Sequence, residues 1–371
     1  MASWAQGLAD YLGEQAQYNI TVFVKKRGGI IPSEIEEGIP YNIKLMGGRD
    51  WPSYKKWYIQ FYLSPFIKGT DNPVIISANW ELSAGLIKYR KKNDFSLITV
   101  LHGLEVTRLH SRKYQQRSGN FKKTLFNSDA VVAVSDFTKT EAIGISSYEE
   151  IVTIPNFVDT RNFYPKEKNE CRSLFQFQES DKILLTLSRL VRRKGHETVI
   201  KALQTVKEEI PDIKFVIAGT GDKSYENKLN RLISELHLKQ NVVFLGYVEE
   251  SSKNTLYNAS DVYIMNSTAT DEKGDSEGFG ITFLEANACG KPVIGSKSGG
   301  IPDAVEQNVN GLLVEPDNPG DTATAILTLF SNKELYRRMS QNAIFRTKQK
   351  FDLLKIGAEY EKIISSLSPS H

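Results

Sequence analysis

The segment Glu277-Gly-Phe-Gly-Ile-Thr-Phe-Leu-Glu285 sets two carboxylates eight residues apart around a glycine-flanked aromatic. Gly278 and Gly280 remove side chains where a ligand could meet main-chain N–H groups, and a helix opening behind them turns the positive end of its dipole toward an anion. Carboxylates accept hydrogen bonds from sugar and ribose hydroxyls, so Glu277 in the loop and Glu285 inside the helix suit a hydroxyl-rich ligand. The same spacing also fits an exposed loop acid followed by an acid on a solvated helix face. A second segment, Ser188-Arg-Leu-Val-Arg-Arg-Lys-Gly195, follows a run that reads as a strand. Arg189 and Lys194 then project at the carboxyl edge of a sheet, where folds of this kind bind ligands. Two fixed cations there can hold a diphosphate and stabilise it as it departs, without a metal. Arg192 and Arg193 read as ordinary surface charges. In the first half of the chain, Leu101-His102-Gly103 ends another strand; His102 is either a structural histidine or one that donates to a sugar hydroxyl or polarises an acceptor.

Positioning these groups requires two sheets. Short apolar runs at 73–77, 96–101, 130–134 and 151–154 read as strands, with helices at 81–92 and 122–127 between them. A helix carrying Trp4, Leu8 and Leu12 and a strand at 19–24 precede these. Residues 28–72, rich in Gly, Pro and aromatics, read as loops with one aromatic helix bearing Trp51, Tyr54, Trp57, Tyr58, Phe61 and Tyr62. After a polar linker at 164–170 the alternation restarts, with strands at 183–187, 213–218, 242–245, 261–265, 293–294 and 311–314. Helices are expected at 197–209, 225–236, 253–258 and from 281 to the Cys289-Gly290 stop. Strands alternating with helices argue for parallel βαβ units covered on both faces. The expected domains are 1–165, 166–345 and a last helical segment, 346–371, that returns to the first domain. Gly219-Thr-Gly221 lacks the third glycine of a dinucleotide fingerprint and reads as a strand-to-helix turn.

Composition narrows the function class. The chain's 371 residues carry 47 Lys plus Arg against 44 Asp plus Glu, a formal charge of +3, and 40% are hydrophobic, which excludes a disordered chain. The balance conceals a gradient: residues 1–130 hold 18 basic and 11 acidic residues, net +7, leaving 29 and 33, net −4, in the remainder. Residues 106–128 contain Arg108, Arg112, Lys113, Arg117, Lys122 and Lys123 and no acid. Such a stretch can hold anionic lipid headgroups or a phosphorylated acceptor, each cation near a surface adding about 1 kcal/mol; it can equally be a solvated face. No nucleic-acid-binding motif accompanies it. Two cysteines, Cys171 and Cys289, are too few for a disulfide framework and imply a reducing, cytoplasmic setting. No run approaches the roughly 18 apolar residues of a membrane-spanning helix, so the expected membrane contact is peripheral, at the inner face of the cytoplasmic membrane. The acids at Asp271 and Asp275 read as a solvated loop rather than a metal site, and His110, His196 and His237 show no metal-ligand spacing.

Taken together these segments resemble the retaining GT-B glycosyltransferases of family four. The resemblance runs through His102-Gly103, Val134-Ser-Asp-Phe-Thr-Lys139, Ile154-Pro-Asn-Phe-Val-Asp159, the 188–195 loop, Ala218-Gly-Thr-Gly-Asp222, Phe244-Leu-Gly-Tyr-Val248, the two-glutamate segment and Gly299-Gly-Ile-Pro-Asp303. It implies two doubly wound Rossmann-like domains facing across a cleft, with the last helix crossing back to the first. It further implies a nucleoside-diphosphate sugar donor, GDP- or UDP-linked, and a glycan or lipid-linked acceptor in cell-envelope polysaccharide or glycolipid synthesis. By the resemblance Arg189 and Lys194 hold the donor diphosphate, Gly219 adjoins it, Glu285 holds the ribose, and the backbone near Tyr247 and Val248 the base. Glu277, with the amides of Phe279, Gly280 and Ile281, holds the sugar hydroxyls, and His102 contacts that sugar. The anomeric configuration is retained, the leaving diphosphate helps deprotonate the acceptor, and no metal or other cofactor is required. The family's pattern opens on a strand and a glycine-rich turn, whereas this chain opens on a helix, so on the order of a dozen residues are expected to be missing at the start. A nucleotide-sugar epimerase, a glycan phosphorylase and a non-catalytic sugar- or lipid-binding scaffold are the rival readings.

Overall fold

The computed structural model describes residues 2–15, 17–25, 38–46, 62–90, 94–269 and 274–367. Contacts divide it into two units, Met1–Asn156 with Leu353–His371, and Phe157–Asp352. The first opens with α1 (Ala2–Glu14), whose Trp4, Leu8 and Leu12 are buried, as their helical spacing requires. β1 (Thr21–Lys25) pairs in parallel with β2 (Asn42–Met46), Thr21 lying opposite Asn42. β2 corrects the reading of 28–72 as loops and a helix. Its alternation of Ile43 and Leu45 with Asn42 and Lys44 is a strand pattern, but one too short to stand out from the glycine- and proline-rich chain around it. Trp51, Tyr54, Trp57, Tyr58, Phe61 and Gly28-Gly29 lie outside the described residues.

Next come α2 (Ser64–Lys68), β3 (Val74–Ser77), α3 (Trp80–Arg90), β4 (Ser96–Leu101), α4 (Leu104–Thr107), α5 (Ser118–Phe126), β5 (Ala130–Ala133), α6 (Asp136–Ser146) and β6 (Ile151–Thr153). The four strands form one parallel sheet in the order β3-β4-β5-β6. Leu97, Ile98, Val100 and Leu101 of β4 are fully buried, which is why that strand reads as a continuous apolar run.

The second unit contains α7 (Lys168–Ser173), β7 (Lys182–Leu187), α8 (His196–Glu209), β8 (Ile213–Ala218), α9 (Lys223–Glu235), β9 (Val242–Gly246), α10 (Glu250–Ala259), β10 (Val262–Met265), α11 (Ile281–Ala288), β11 (Val293–Ser296), α12 (Ile301–Ala304), β12 (Gly311–Val314), α13 (Pro319–Ser331) and α14 (Lys333–Arg346). Its six strands are parallel in the order β12-β11-β10-β7-β8-β9. The order reverses direction beside β7, and the crevice outside the carboxyl ends of strands at such a switch point is where ligands bind.

The stretch expected to be a linker is instead part of this unit. Its main-chain amides at Tyr164 and Lys166 donate to Asn254 and Asn258 of α10 at 3.3 and 2.8 Å. Arg172 of α7 is 1% exposed and donates to the carbonyls of Ala259, Gln178, Glu179 and Asp181 and to the Asp261 carboxylate. That satisfied guanidinium nails the polar segment down, and by contacts the two units divide at 156/157. The chain leaves the unit at Asp352, not at 345, because Val158 N donates to Phe351 O at 2.9 Å and Thr160 Oγ1 bonds the Asp352 carboxylate, lacing the entering and leaving strands of chain together. α15 (Leu353–Leu367) then belongs to the first unit, packing on α1 through Trp4 and Tyr360, with ring centroids 5.7 Å apart, and through a 3.0 Å bond from Tyr11 OH to Glu361 Oε2. Cys171 and Cys289 are buried free thiols. Among the described residues no helix is long and apolar enough to cross a membrane.

Candidate functional site

The 188–195 segment leaves β7 at the centre of the six-stranded sheet and continues alongside the turn after β8. Ser188 N donates to Ala218 O at 2.9 Å and Leu190 N to Thr220 O at 3.0 Å, while Gly219 N is bonded to Gly246 O at 2.6 Å. The glycine-containing turn is therefore a strand-to-helix connection, and it places Gly219 next to the basic loop. A 3₁₀ turn over Arg192–Lys194 closes the loop, and Gly195 follows in the left-handed region at φ +72°. A Cβ there would stand 1.7 Å from Asn266 O, so only glycine lets the loop seat against the end of β10.

This tight turn sorts the three consecutive basic residues. Arg192 points to solvent, whereas the side chains of Arg193 and Lys194 are 10% and 11% exposed. Arg193 Nη1 and Lys194 Nζ donate to the same oxygen, Glu277 Oε2, at 2.5 and 2.6 Å. One expectation is corrected here and one alternative set aside. Arg193 is not a surface charge, and Glu277, 14% exposed, is not an exposed loop acid. The two cations overcome the cost of its burial and hold the Glu277 carboxyl at about 2. Burial lowers Lys194 from its ordinary value, with Glu277 opposing the change and Arg193 and Arg189 reinforcing it. Arg189 itself is exposed beside this group. Three cations against one carboxylate leave the mouth of the sheet electropositive.

Glu277's backbone is anchored from below. Gly300 N donates to Glu277 O at 2.8 Å, and Gly299, at φ +58°, approaches so closely that a Cβ would lie 2.3 Å from the same oxygen. The Gly299-Gly300 pair is thus a seat for Glu277. α11 starts after Gly280 with no side chain capping it, so its opening amides face the same loop. Phe279 is buried with its ring 5.8 Å from Phe351, and Ile281 is the first residue of the helix.

Glu285 lies one turn along α11 and is 5% exposed, so the solvated-face alternative fails. Tyr257 OH donates to Glu285 Oε2 at 2.5 Å. Burial pushes the Glu285 carboxyl up, while the positive charge of Lys253 and the Tyr257 hydroxyl pull it down. Lys253 also pairs with Glu250 Oε2 at 2.6 Å and senses Tyr247, whose ring is 74% exposed; Val248 is half-buried beside it. Tyr257 and Lys253 escaped the sequence reading, since they lie 28 and 32 residues upstream of Glu285 on another helix.

In the first unit, His102 sits at the carboxyl end of β4, its ring 4.9 Å from that of Trp4. Nε2 is buried and has no partner among the described residues, and burial holds the imidazole neutral, down at about 3. His102 N donates to Glu105 Oε1 at 2.6 Å, which fixes the loop. His196 is buried and neutral for the same reason, at about 3, and His110 bonds Glu141 Oε2 at 2.6 Å. Of the basic stretch, Arg112, Lys113, Lys122 and Lys123 are exposed, but Arg117 Nη1 donates to Glu81 Oε1 at 2.6 Å. The acid that pairs with it comes from α3, outside the stretch itself. Lys122 lies 5.7 Å over the ring of Phe126, which is 54% exposed. Asp271 lies outside the described residues; among those described, no three His, Cys, Asp or Glu side chains cluster as a metal site.

Comparison with known proteins gives this geometry a family. Residues 167–346 match the family described as Glycosyl transferases group 1, and residues 1–162 match Glycosyltransferase Family 4. The chain belongs to the family-four glycosyltransferases. N-acetyl-alpha-D-glucosaminyl L-malate synthase of Bacillus anthracis is 28% identical over 299 residues, 79% of this chain and 74% of that protein. The GDP-mannose-dependent monoacylated alpha-(1-6)-phosphatidylinositol monomannoside mannosyltransferase of Corynebacterium glutamicum is 32% identical over 208 residues, covering 55% of this chain and 53% of that one. The chain thus spans about half the length of that mannosyltransferase. Sucrose-phosphate synthase from Thermosynechococcus elongatus shares the fold with a TM-score of 0.84 at 22% identity, covering 98% of this chain and 92% of that one. Anabaena HepE, solved with UDP and glucose, gives 0.79 at 21% identity over 97% and 95%. The architecture of this glycosyltransferase is accordingly GT-B, an α/β fold of two units built on parallel sheets.

Proposed function

We propose that this glycosyltransferase moves a hexose from a GDP- or UDP-linked sugar to a glycan or lipid-linked acceptor, retaining the anomeric configuration and using no metal. The observation that carries the reading is the Arg193–Lys194–Glu277 cluster at the switch point of the six-stranded sheet, with Arg189 beside it. Its excess positive charge suits the donor's diphosphate, which Arg189 and Lys194 would hold and stabilise as it leaves. Gly219 adjoins that position on the next loop. Glu277 and the amides of Phe279, Gly280 and Ile281 would receive the sugar, and Glu285, kept in place by Tyr257, the ribose. Tyr247 and Val248 would flank the base, with His102, as a neutral imidazole, on the acceptor side. The departing diphosphate would take the acceptor's proton on the face it leaves, so that the new bond forms with the old configuration. A GDP-mannose-dependent phosphatidylinositol monomannoside mannosyltransferase among the relatives supports a nucleoside-diphosphate donor.

Thermal unfolding with GDP, UDP, GDP-mannose and UDP-glucose tests this. One nucleotide pair is expected to raise the midpoint, since saturation a hundredfold above Kd stabilises by about 2.7 kcal/mol. The matching sugar nucleotide is expected to release nucleoside diphosphate slowly by hydrolysis. No shift and no release with any of the four would favour a non-catalytic scaffold.

A cytoplasmic setting at an anionic membrane surface is part of the proposal, resting on the exposed Arg112, Lys113, Lys122 and Lys123, of which Lys122 lies over the exposed Phe126. Replacing Lys122 and Lys123 by Glu is expected to weaken binding to phosphatidylserine vesicles by tenfold or more, at about 1 kcal/mol for each cation lost. Undiminished vesicle sedimentation would leave the patch a solvated face.

A further inference from the structure

The donor reading assigns Arg189 and Lys194 to the diphosphate and leaves Arg193 without a task, yet Arg193 is the best-anchored cation of the group. Ser267 Oγ and Thr268 N both donate to its carbonyl, at 2.7 and 2.9 Å, clamping its backbone to the segment after β10. Its guanidinium and the Lys194 ammonium converge on one carboxylate oxygen, so each is only half compensated. Lys194 also leans on a weak acceptor, Met265 Sδ, at 3.3 Å. Of the two, the ammonium on its flexible stem can turn away; the planar guanidinium on a clamped backbone is the one built to stay. We infer that Arg193 is a positioning residue that remains on Glu277 while Lys194 turns to the incoming diphosphate. It thereby keeps the carboxylate ionised and aimed at the sugar beside a second anion.

The alternative for Glu277 is unfavourable. Once Lys194 has left, a buried carboxylate without a counterion takes up a proton or repels the phosphates. The charged and titratable groups facing it are Arg193 and Lys194 from the loop after β7 and Tyr263 from β10, with Arg189 acting on Lys194. Among these Arg193 is the cation that the diphosphate does not claim.

The inference rests on the proposed donor reading, and R193Q and R193K test it. Isothermal calorimetry with GDP and UDP is expected to give affinities within about threefold of wild type, because Arg193 does not leave Glu277 for the phosphates. Donor hydrolysis by R193Q, with GDP-mannose or UDP-glucose according to the nucleotide bound, is expected to show kcat lowered about 10- to 100-fold with KM little changed. The acid limb of kcat is expected to move up by about one pH unit or more as Glu277 loses a counterion. R193K is expected to recover most of the rate. An activity-independent readout accompanies these. A carboxyl held at about 2 contributes stability that is complete above its unfolded value near 4.5 and is lost as pH falls toward 2. In R193Q the folded value lies closer to 4.5, so that loss is expected to be smaller and to be complete at a higher pH in thermal unfolding. Tenfold weaker nucleotide binding with kcat intact would overturn the inference and make Arg193 a phosphate ligand. An unmoved acid limb, kcat and unfolding profile in R193Q would overturn it as well. Failure of the wild type to bind either nucleotide would instead overturn the donor reading, and this inference with it.

Discussion

Replacing Glu277 by Ala is expected to lower kcat for sugar transfer or donor hydrolysis by a factor on the order of 10²–10³ while leaving nucleoside-diphosphate affinity unchanged or several-fold tighter. The asymmetry follows from the ion-pair geometry. In the wild type Lys194 Nζ sits 2.6 Å from Glu277 Oε2 and must give up that bond to reach a phosphate. Removing the carboxylate abolishes this competition and also takes one negative charge from beside the site where a diphosphate would lie, so binding of the nucleotide alone does not suffer. Transfer does suffer, because a carboxylate that accepts from the sugar's hydroxyls acts most strongly when charge builds up at the reacting carbon, and Ala offers no acceptor. The carboxyl's low pKa, about 2, keeps it ionised across the neutral range, so its removal deletes a charge rather than a neutral acid. Two measurements check this, a nucleotide titration by calorimetry and the initial rate of nucleotide release. A tenfold loss of affinity with an undiminished rate would show that Glu277 serves the leaving group and not the sugar.

What the chain's sequence discloses and what it hides follow the range of the interactions involved. The strands of both large sheets are legible because parallel strands covered on two faces must be continuous apolar runs, as in Leu97 to Leu101 and Ile213 to Ala218. The opening of α11 is legible because a glycine before a helix and a Cys-Gly-Lys-Pro stop are local signals. The sorting of Arg192, Arg193 and Lys194 is not, since three adjacent cations look alike until a 3₁₀ turn and the close seat of Gly195 on Asn266 decide which way each side chain leaves the loop. The burial of Glu285 is hidden for a related reason: its partner Tyr257 belongs to a helix that reaches it only through the sheet order. The attachment of the polar segment Tyr164 to Glu170 to the second unit is hidden because Asn254 and Asn258, which fasten it, lie 90 and 92 residues further on. Motif spacing therefore singled out Glu277, Glu285, Arg189 and Lys194, and tertiary contacts added Arg193 and the partners that hold the Glu277 carboxyl down.

Replacing Lys194 by Ala should have the opposite signature, weakening nucleoside-diphosphate binding by about 10- to 100-fold, the loss expected for one charge-assisted hydrogen bond of about 1.5–3 kcal/mol. Arg193 keeps Glu277 paired in this variant, so the fold of the loop and the charge on the carboxylate persist. Unchanged affinity by calorimetry would contradict the assignment of Lys194 to the phosphates. The stronger test combines the two substitutions. If Lys194 in the wild type divides itself between Glu277 and the ligand, then removing it in a Glu277→Ala background, where it has no rival partner, should cost more binding than removing it from the intact protein. The two effects are then coupled rather than additive, as groups sharing a partner should be. A cost that is equal in both backgrounds would mean that Glu277 does not compete with the diphosphate for Lys194.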